Sequence, residues 1–101
     1  MSRQRIGILG AGSWGTALGM HLARRGHEIQ LWDISKTHVE SLQTLGRNER
    51  YLPGIPFPEG LSASADLEAV CEANDHLLVV TPSHAFVETL EKIRPWLSAA
   101  T

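Results

Sequence analysis

The sequence predicts an α/β fold built on a doubly wound parallel sheet. Four short segments have the length of strands, and each is followed by residues that are typical of a helix. This regular alternation of strand and helix is typical of parallel strands joined by right-handed crossovers. We therefore expect parallel strands near residues 4–9, 28–33, 61–64 and 76–81, in the spatial order 3-2-1-4.

The first strand and helix carry the clearest signals. The apolar run Arg5 to Leu9 is ended by glycine, which suits a strand that is buried on both faces. Trp14, Leu18 and Leu22 then recur at helical spacing and predict an apolar stripe. The helix should end at the arginines that precede Gly26, because glycine after a basic last turn is a common stop signal.

The second strand, residues 28–33, is followed by another predicted helix. Either Ser35 or Thr37 opens this helix, and Thr37 has the spacing of a capping box with Glu40. Gly46 should close it.

The second half of the chain begins with a predicted loop at residues 47–60, which are rich in proline and glycine. A brief helix is expected over Asp66 to Ala73, and Leu77 to Val80 reads as a strand that is buried on both faces. The last helix should start at Pro82-Ser83 and end near Arg94, before Pro95. Its predicted apolar face consists of Phe86, Leu90, Ile93 and Leu97.

Composition and charge exclude several classes of function. Nine Lys and Arg residues against eleven Asp and Glu residues give a net charge of -2, without the basic face that nucleic-acid binding requires. No apolar run approaches the roughly 18 residues that would span a bilayer. The single Cys71 excludes an internal disulfide, a zinc ribbon and a CxxC redox site, and fits a cytoplasmic setting. The five histidines lack metal-ligand spacing, so we expect solvated or capping side chains and no metal site.

A glycine-rich loop between the first strand and its helix points to a ligand. Gly10, Gly12 and Gly15 form a G-x-G-x-x-G pattern, which is weak alone but stands here in the context of a dinucleotide-binding, Rossmann-type unit. Gly10 permits the turn out of the strand, Gly12 lets a diphosphate approach the backbone, and Gly15 lets the helix pack close to the strand. The helix N-terminus offers free N–H groups and a partial positive charge to that diphosphate. The alternative is a purely structural glycine turn.

An acidic residue lies where the second strand should end. The carboxylate of Asp33 can accept hydrogen bonds from the adenosine ribose hydroxyls, which favours NAD(H), with NADP(H) as the alternative cofactor. The other interpretation of Asp33 is a helix cap or a solvated loop residue. The neighbouring Trp32 is expected to serve packing rather than ligand contact.

Further motifs make the chain resemble the bacterial type of NAD(P)-dependent glycerol-3-phosphate dehydrogenase. The resemblance covers the whole chain, and the motifs occur in the order and at the spacing of that family. They are Gly10-Ala-Gly-Ser-Trp-Gly-Thr-Ala-Leu18, Leu31-Trp32, Asn48 with Tyr51-Leu-Pro-Gly-Ile55, and Val80-Thr-Pro-Ser83.

The resemblance implies an oxidoreductase that interconverts sn-glycerol 3-phosphate and dihydroxyacetone phosphate for glycerophospholipid synthesis. It implies that Ser13 and Trp14 contact the cofactor, that Ile34 lies near its adenosine end, and that Phe86 lies near its nicotinamide side, although core packing is favoured for Phe86. Implied partners are the dinucleotide and a phosphorylated triose, and the full-length enzyme could be a homodimer. The complete set of expected cofactor-binding residues is Gly10, Gly12, Ser13, Trp14, Gly15, Asp33, Ile34, Pro82 and Phe86.

Two departures from the family limit what residues 1–101 are expected to do. The catalytic lysines of the family fall beyond Thr101, while Lys36 and Lys92 are predicted on helices away from the strand ends. We therefore expect the N-terminal part of a cofactor-binding domain, without the C-terminal substrate domain and without catalytic residues. The second departure is Asp33-Ile34, where many relatives carry basic residues suited to a 2′-phosphate. Alternatives are a ketopantoate-type or 6-phosphogluconate-type reductase, and a nucleotide-binding module without catalysis.

Overall fold

A computed structural model describes residues 3–81 and 83–96, which form a four-stranded parallel sheet with helices on both faces. The strand order is β3-β2-β1-β4, so the predicted fold class and the order 3-2-1-4 are confirmed. The elements are β1 (Arg5–Leu9), α1 (Ser13–Arg24), β2 (Glu28–Trp32), α2 (Lys36–Leu45), β3 (Leu61–Ala63), α3 (Leu67–Ala73), β4 (His76–Val79), α4 (Ser83–Ile93) and a 3₁₀ turn (Arg94–Trp96).

The strand register brings the carboxyl ends of three strands together. Leu9, the last residue of β1, is paired with Trp32 on one side and with Val79 on the other. The segments that leave β1, β2 and β4 therefore start side by side at one edge of the sheet. In open α/β sheets this edge is where ligands bind.

Each face of the sheet has its own apolar core, as the alternation of side chains along a strand requires. Ile8 and Leu31 pack on one face with residues of α1 and α2, while Leu9 and Trp32 pack on the other. Residues of α3 and α4 complete this second core, which includes Val70, Cys71 and Ile93. Trp32 is therefore a packing residue, as predicted.

The predicted apolar stripe of α1 is wrong at its first position, because the side chain of Trp14 is 79% exposed. The buried face of α1 includes Gly15, Gly19 and Met20 instead. A Cβ on Gly19 would lie 3.1 Å from the Leu31 side chain, so the helix rests almost directly on the sheet. This close approach depends on glycines and other small residues. A pattern based on the spacing of large apolar residues leaves them out.

The apolar run of β4 is also less buried than predicted. β4 lies at the edge of the four-stranded sheet, and Leu78 on it is 37% exposed. On α4, Thr89 and Ile93 are buried while Phe86 and Leu90 are exposed, so the prediction that Phe86 packs in the core is wrong. The α-helix does end at Ile93, just before the predicted stop, whereas Leu97 lies outside the described residues.

The cap of α2 decides between the two predicted starts. Ser35 is the N-cap residue, and its hydroxyl accepts a hydrogen bond from the backbone N–H of His38 at 3.2 Å. The capping box proposed at Thr37 does not form, because Thr37 already lies inside the helix. Gly46 closes α2 in the left-handed conformation, as predicted.

Candidate functional site

A cleft of about 550 Å³ opens at the carboxyl edge of the sheet, where the segments after β1, β2 and β4 meet. The glycine-rich loop forms one wall, and the others are formed by residues at the ends of β2 and β4, in the middle of α4 and in the loop after α2. The lining residues are Gly10, Gly12, Ser13, Trp14, Gly15, Trp32, Asp33, Ile34, Tyr51, Val80, Thr81, Glu88 and Thr89.

The turn out of β1 requires glycine at its first position. Gly10 has φ +125°, and a Cβ there would lie 2.5 Å from the carbonyl oxygen of Val80. Its backbone N–H donates to the carbonyl of Trp32 at 2.7 Å, which ties the loop to the end of β2. The predicted role of Gly10 in the tight turn is therefore confirmed.

The N-terminus of α1 is open toward the cleft. Gly12 is the N-cap residue and provides no side chain for capping, and the first helical hydrogen bond runs from Thr16 N–H to the Gly12 carbonyl at 3.0 Å. A Cβ on Gly12 would meet nothing within 4 Å, so this backbone faces free space. No acidic residue lies in the first turn. These features suit an anion, because free N–H groups and the helix dipole both favour negative charge here.

Asp33 is the first residue after β2, because the strand ends at Trp32, one residue before the predicted end. One carboxylate oxygen accepts from Ala11 N–H at 2.9 Å, and the other accepts from Ser35 N–H at 3.0 Å. The side chain is half-buried and lines the cleft. Asp33 thus braces both the glycine-rich loop and the start of α2, although it is not the N-cap residue itself.

Two further residues form hydrogen bonds to the glycine-rich loop, and sequence analysis did not predict this role for either of them. The carbonyl oxygen of Ala11 accepts from His38 Nε2 at 2.8 Å and from Asn48 Nδ2 at 3.0 Å. The expectation that His38 is a solvated or capping residue is wrong, because its side chain is buried. Asn48 appeared in the sequence only as part of a motif, and no local pattern reveals its partner.

The remaining predicted site residues divide into two groups. Ser13, Trp14 and Ile34 line the cleft, and the side chains of Trp14 and Ile34 are 79% and 59% exposed. Phe86 is exposed but is not among the lining residues, and Pro82 lies outside the described part of the chain. Thr81 also lines the cleft, and its hydroxyl is buried without a hydrogen-bond partner among the described residues.

Among the described residues, the charged groups that line the cleft are both acidic, namely Asp33 and Glu88. Lys92 forms an ion pair with Glu88 at 3.6 Å, and Lys36 begins α2 just after the end of β2. Both lysines therefore lie on helices, as predicted. Neither lysine is among the residues that line the cleft.

The loop after α2 carries a perturbed carboxyl group. The backbone N–H of Gly54 donates to Glu49 at 3.0 Å, and Arg47 contacts the same carboxylate oxygen. The Gly54 hydrogen bond first, and then the Arg47 guanidinium, lower the pKa of Glu49 below its usual value. This ion pair closes the loop that also carries Asn48 and Tyr51.

Cys71 is a buried packing residue, as predicted. Burial, followed by the nearby charge of Glu72, raises the pKa of the Cys71 thiol, which disfavours the reactive thiolate. Within residues 3–81 and 83–96, no group of three His, Cys, Asp or Glu side chains could hold a metal ion. Over the same ranges, no helix has the length and apolarity needed to cross a membrane.

Comparison with known protein families agrees with this geometry. Residues 5–101 match the family model described as "NAD-dependent glycerol-3-phosphate dehydrogenase N-terminus". The chain belongs to this family. The match starts at the first residue of β1 and therefore includes the glycine-rich loop and all of the residues that line the cleft.

Individual relatives agree with this membership in the glycerol-3-phosphate dehydrogenase family. A glycerol-3-phosphate dehydrogenase [NAD(P)+] of Coxiella burnetii (strain Dugway 5J108-111) is 49% identical over 96 residues, which cover 95% of this chain and 29% of the relative. The crystal structure of glycerol-3-phosphate dehydrogenase from Coxiella burnetii superimposes with a TM-score of 0.95 at 47% identity, over 98% of this chain and 30% of that one. The chain therefore spans under a third of the length of these relatives.

A putative ketopantoate reductase from Ralstonia solanacearum MolK2 shares the fold less closely. It superimposes with a TM-score of 0.72 at 30% identity, over 99% of this chain and 30% of its own. The ketopantoate-type alternative therefore fits the backbone less well than the glycerol-3-phosphate dehydrogenase family does.

Proposed function

We propose that this chain binds the dinucleotide of an NAD(P)-dependent glycerol-3-phosphate dehydrogenase, which interconverts sn-glycerol 3-phosphate and dihydroxyacetone phosphate. The observation that carries the proposal is the open backbone at Gly12, where the uncapped start of α1 meets a cleft of about 550 Å³. The diphosphate would lie against the N–H groups of the first turn of α1, next to Gly12 and Ser13. The family membership supports the same ligand.

Two further features of the cleft fit a dinucleotide. The buried Thr81 hydroxyl lacks a partner within the described chain, and a bound ligand could supply one. Exposed apolar surface on Trp14 and Ile34 lines the cleft and could pack against an adenosine moiety. When bound, the nicotinamide supplies or accepts the hydride of the reaction.

The adenosine end favours NAD(H) over NADP(H). Asp33 lines the cleft with a carboxylate that two backbone N–H groups hold, and an acidic residue at this position of a Rossmann-type unit commonly accepts hydrogen bonds from the ribose hydroxyls. Each carboxylate oxygen can accept a second hydrogen bond, so a 2′-hydroxyl can still donate to Asp33. A 2′-phosphate would bring like charge to the same place, and no basic side chain is among the lining residues.

The chemistry would need groups that this chain does not bring into the cleft. Carbonyl reduction requires a positioned proton donor, and the substrate phosphate requires a cationic clamp. Lys92 is paired with Glu88, and neither Lys92 nor Lys36 lines the cleft. We therefore assign this chain cofactor binding, and we assign turnover to the longer polypeptide that the relatives represent.

Titration with NADH tests the proposal, with tryptophan fluorescence as the signal. The 101-residue chain should bind NADH, and Gly12→Val should weaken binding about tenfold or more, because the new side chain enters the space that the diphosphate needs. A Cβ at Gly12 meets nothing within 4 Å, so the variant should still fold, with a loss of thermal stability limited to the lower preference of valine for the N-cap position. Glu40→Ala on the exposed surface of α2 is the matched control. Equal NADH affinity of the Gly12→Val and parent proteins would contradict the proposed site.

A further inference from the structure

The backbone of Ala11 is held on both sides by side chains from outside the glycine-rich loop. Its carbonyl oxygen accepts from His38 Nε2 at 2.8 Å and from Asn48 Nδ2 at 3.0 Å, while its N–H donates to Asp33 at 2.9 Å. Ala11 is fully buried. Side chains from three separate positions in the sequence therefore converge on the backbone of one residue, His38 and Asn48 on its C=O and Asp33 on its N–H.

The Asn48 side chain has a partner for each of its polar groups. Besides its bond to Ala11, Nδ2 donates to Thr16 Oγ1 at 2.8 Å, and Oδ1 accepts from Tyr51 N–H at 3.2 Å. The residue is 1% exposed. Both amide hydrogens and the amide oxygen are therefore used, which leaves the side chain a single favourable orientation.

The position of His38 is also fixed by contacts with its neighbours. Its ring edge contacts the ring of Tyr51, with 5.6 Å between the centroids, and its backbone N–H is held by Ser35. Since a carbonyl oxygen can only accept, the contact with Ala11 requires that Nε2 carries the proton.

The two hydrogen bonds to the Ala11 carbonyl also determine the direction of the Gly12 N–H group. In a trans peptide the C=O and the following N–H point in opposite directions. A carbonyl of Ala11 that is turned toward His38 and Asn48 in the interior directs the Gly12 N–H the other way, and Gly12 lines the cleft. Two donors on one carbonyl also polarise the peptide and strengthen its N–H as a donor.

We propose that Asn48 and His38 are positioning residues that orient the Ala11–Gly12 peptide so that the Gly12 N–H donates to the dinucleotide diphosphate. The inference rests on the proposed function and extends it to two residues outside the cleft. It also links the proline- and glycine-rich loop that carries Asn48 to cofactor affinity.

The central test compares a substitution of Asn48 with a substitution of Thr16, the other acceptor of Asn48 Nδ2. Asn48→Asp removes both N–H donors and sets an oxygen against the Ala11 carbonyl, so NADH affinity should fall about tenfold or more. Thr16→Val removes only the other acceptor of Asn48 and leaves the Ala11 carbonyl held. Thr16→Val should lower the melting temperature but change NADH affinity less than about threefold.

A second pair of variants keeps the test decisive if Asn48→Asp does not fold. His38→Met removes the donor to Ala11 and should weaken NADH binding, whereas His38→Gln returns an amide N–H close to the position of Nε2 and should restore it. The ¹H–¹⁵N resonance of Gly12 provides a direct signature. It should move downfield with NADH in the parent and in His38→Gln, and move less in His38→Met. Adenosine lacks the diphosphate, so its affinity should be the same in all the folded variants.

The outcomes separate the inference from the proposed function. A folded parent chain that does not bind NADH would overturn the proposed function, and the inference with it. NADH binding by the parent, together with unchanged affinity in His38→Met and Asn48→Asp, would overturn the inference alone. Equal losses for NADH and adenosine, or equal losses of NADH affinity in Thr16→Val and Asn48→Asp, would assign these residues a structural role and also overturn it.

Discussion

Gly15 lies against the carbonyl of Gly10 so closely that a Cβ on Gly15 would stand 1.9 Å from that oxygen. The obstacle is backbone, which cannot move aside without displacing either β1 or α1. Gly15 therefore sets the distance between the first helix and the first strand. Gly12, only three residues earlier, has free space where its Cβ would be.

This contrast between two glycines of one motif gives the first prediction. Gly15→Ala should lower the free energy of unfolding by about 3 kcal/mol or more, the upper end of overpacking costs, because the clash is with backbone. Gly12→Ala meets no clash and should cost much less, about 1 kcal/mol for alanine at an N-cap, while it lowers NADH affinity. Urea unfolding followed by circular dichroism measures the first effect, and NADH titration measures the second. Equal stability of the two variants would contradict this account of the turn.

The second prediction concerns the choice of cofactor. A ribose hydroxyl that donates to Asp33 gains a charge-assisted hydrogen bond worth about 1.5–3 kcal/mol. A 2′-phosphate instead meets like charge, which costs roughly 4 kcal/mol per pair of unit charges at about 4 Å and an effective dielectric of about 20. NADH should therefore bind more tightly than NADPH, and Asp33→Ala should narrow the difference chiefly by weakening NADH.

The measurement for Asp33 needs a fixed ionic strength, because phosphate contacts weaken with salt. Asp33→Ala also frees the N–H groups of Ala11 and Ser35, so both cofactors should lose some affinity. Asp33→Asn is the matched variant, since it keeps an acceptor but removes the charge. Tighter binding of NADPH than of NADH by the parent chain would show that Asp33 does not meet the 2′-position.

Much of the fold and part of the cleft could be predicted because their signals are local. The strand order follows from alternating apolar patterns, and the turn at Gly10 follows from a motif whose glycines have separate steric roles. The side-chain contacts to Ala11 could not be predicted in this way. Their partner is a backbone carbonyl 27 residues from His38 and 37 residues from Asn48. Every residue has a backbone carbonyl, so the sequence does not indicate which carbonyl a distant side chain will contact.

The errors in burial have a related physical cause. Trp14 has the spacing of a core residue, but the small residues of α1 bring the helix onto the sheet and leave Trp14 outside. Leu78 belongs to an apolar run, but burial of an edge strand depends on what covers it rather than on its own sequence. Periodicity reports which residues share a face, and packing decides which face is covered.

The third prediction uses the lowered pKa of Glu49. Because the Gly54 N–H and the Arg47 guanidinium favour the ionised form, the carboxylate stabilises the folded loop at pH values above its unfolded pKa. This contribution is lost as the pH falls below about 4.3, the usual pKa of glutamate, and through the lower folded value. Any stability advantage of the parent over Glu49→Gln should therefore be present at pH 7 and decline in acid. Thermal unfolding of both proteins across this pH range measures it, and an advantage that grew in acid would contradict the assignment.

The last prediction concerns catalysis by the chain itself. Purified residues 1–101 should oxidise no NADH with dihydroxyacetone phosphate above a buffer blank, even at NADH concentrations that saturate binding. The physical reason is that the charged groups lining the cleft, Asp33 and Glu88, are acidic, so neither can clamp a substrate phosphate.

Joining this chain to the remaining part of the Coxiella burnetii relative should produce turnover with dihydroxyacetone phosphate, because that relative is 49% identical over the shared region. In the joined protein, Gly12→Val should suppress turnover and Glu40→Ala should not. Activity of residues 1–101 alone would mean that the necessary proton donor and phosphate clamp lie within these residues. A joined protein that folds and binds NADH but shows no turnover would count against the proposed reaction.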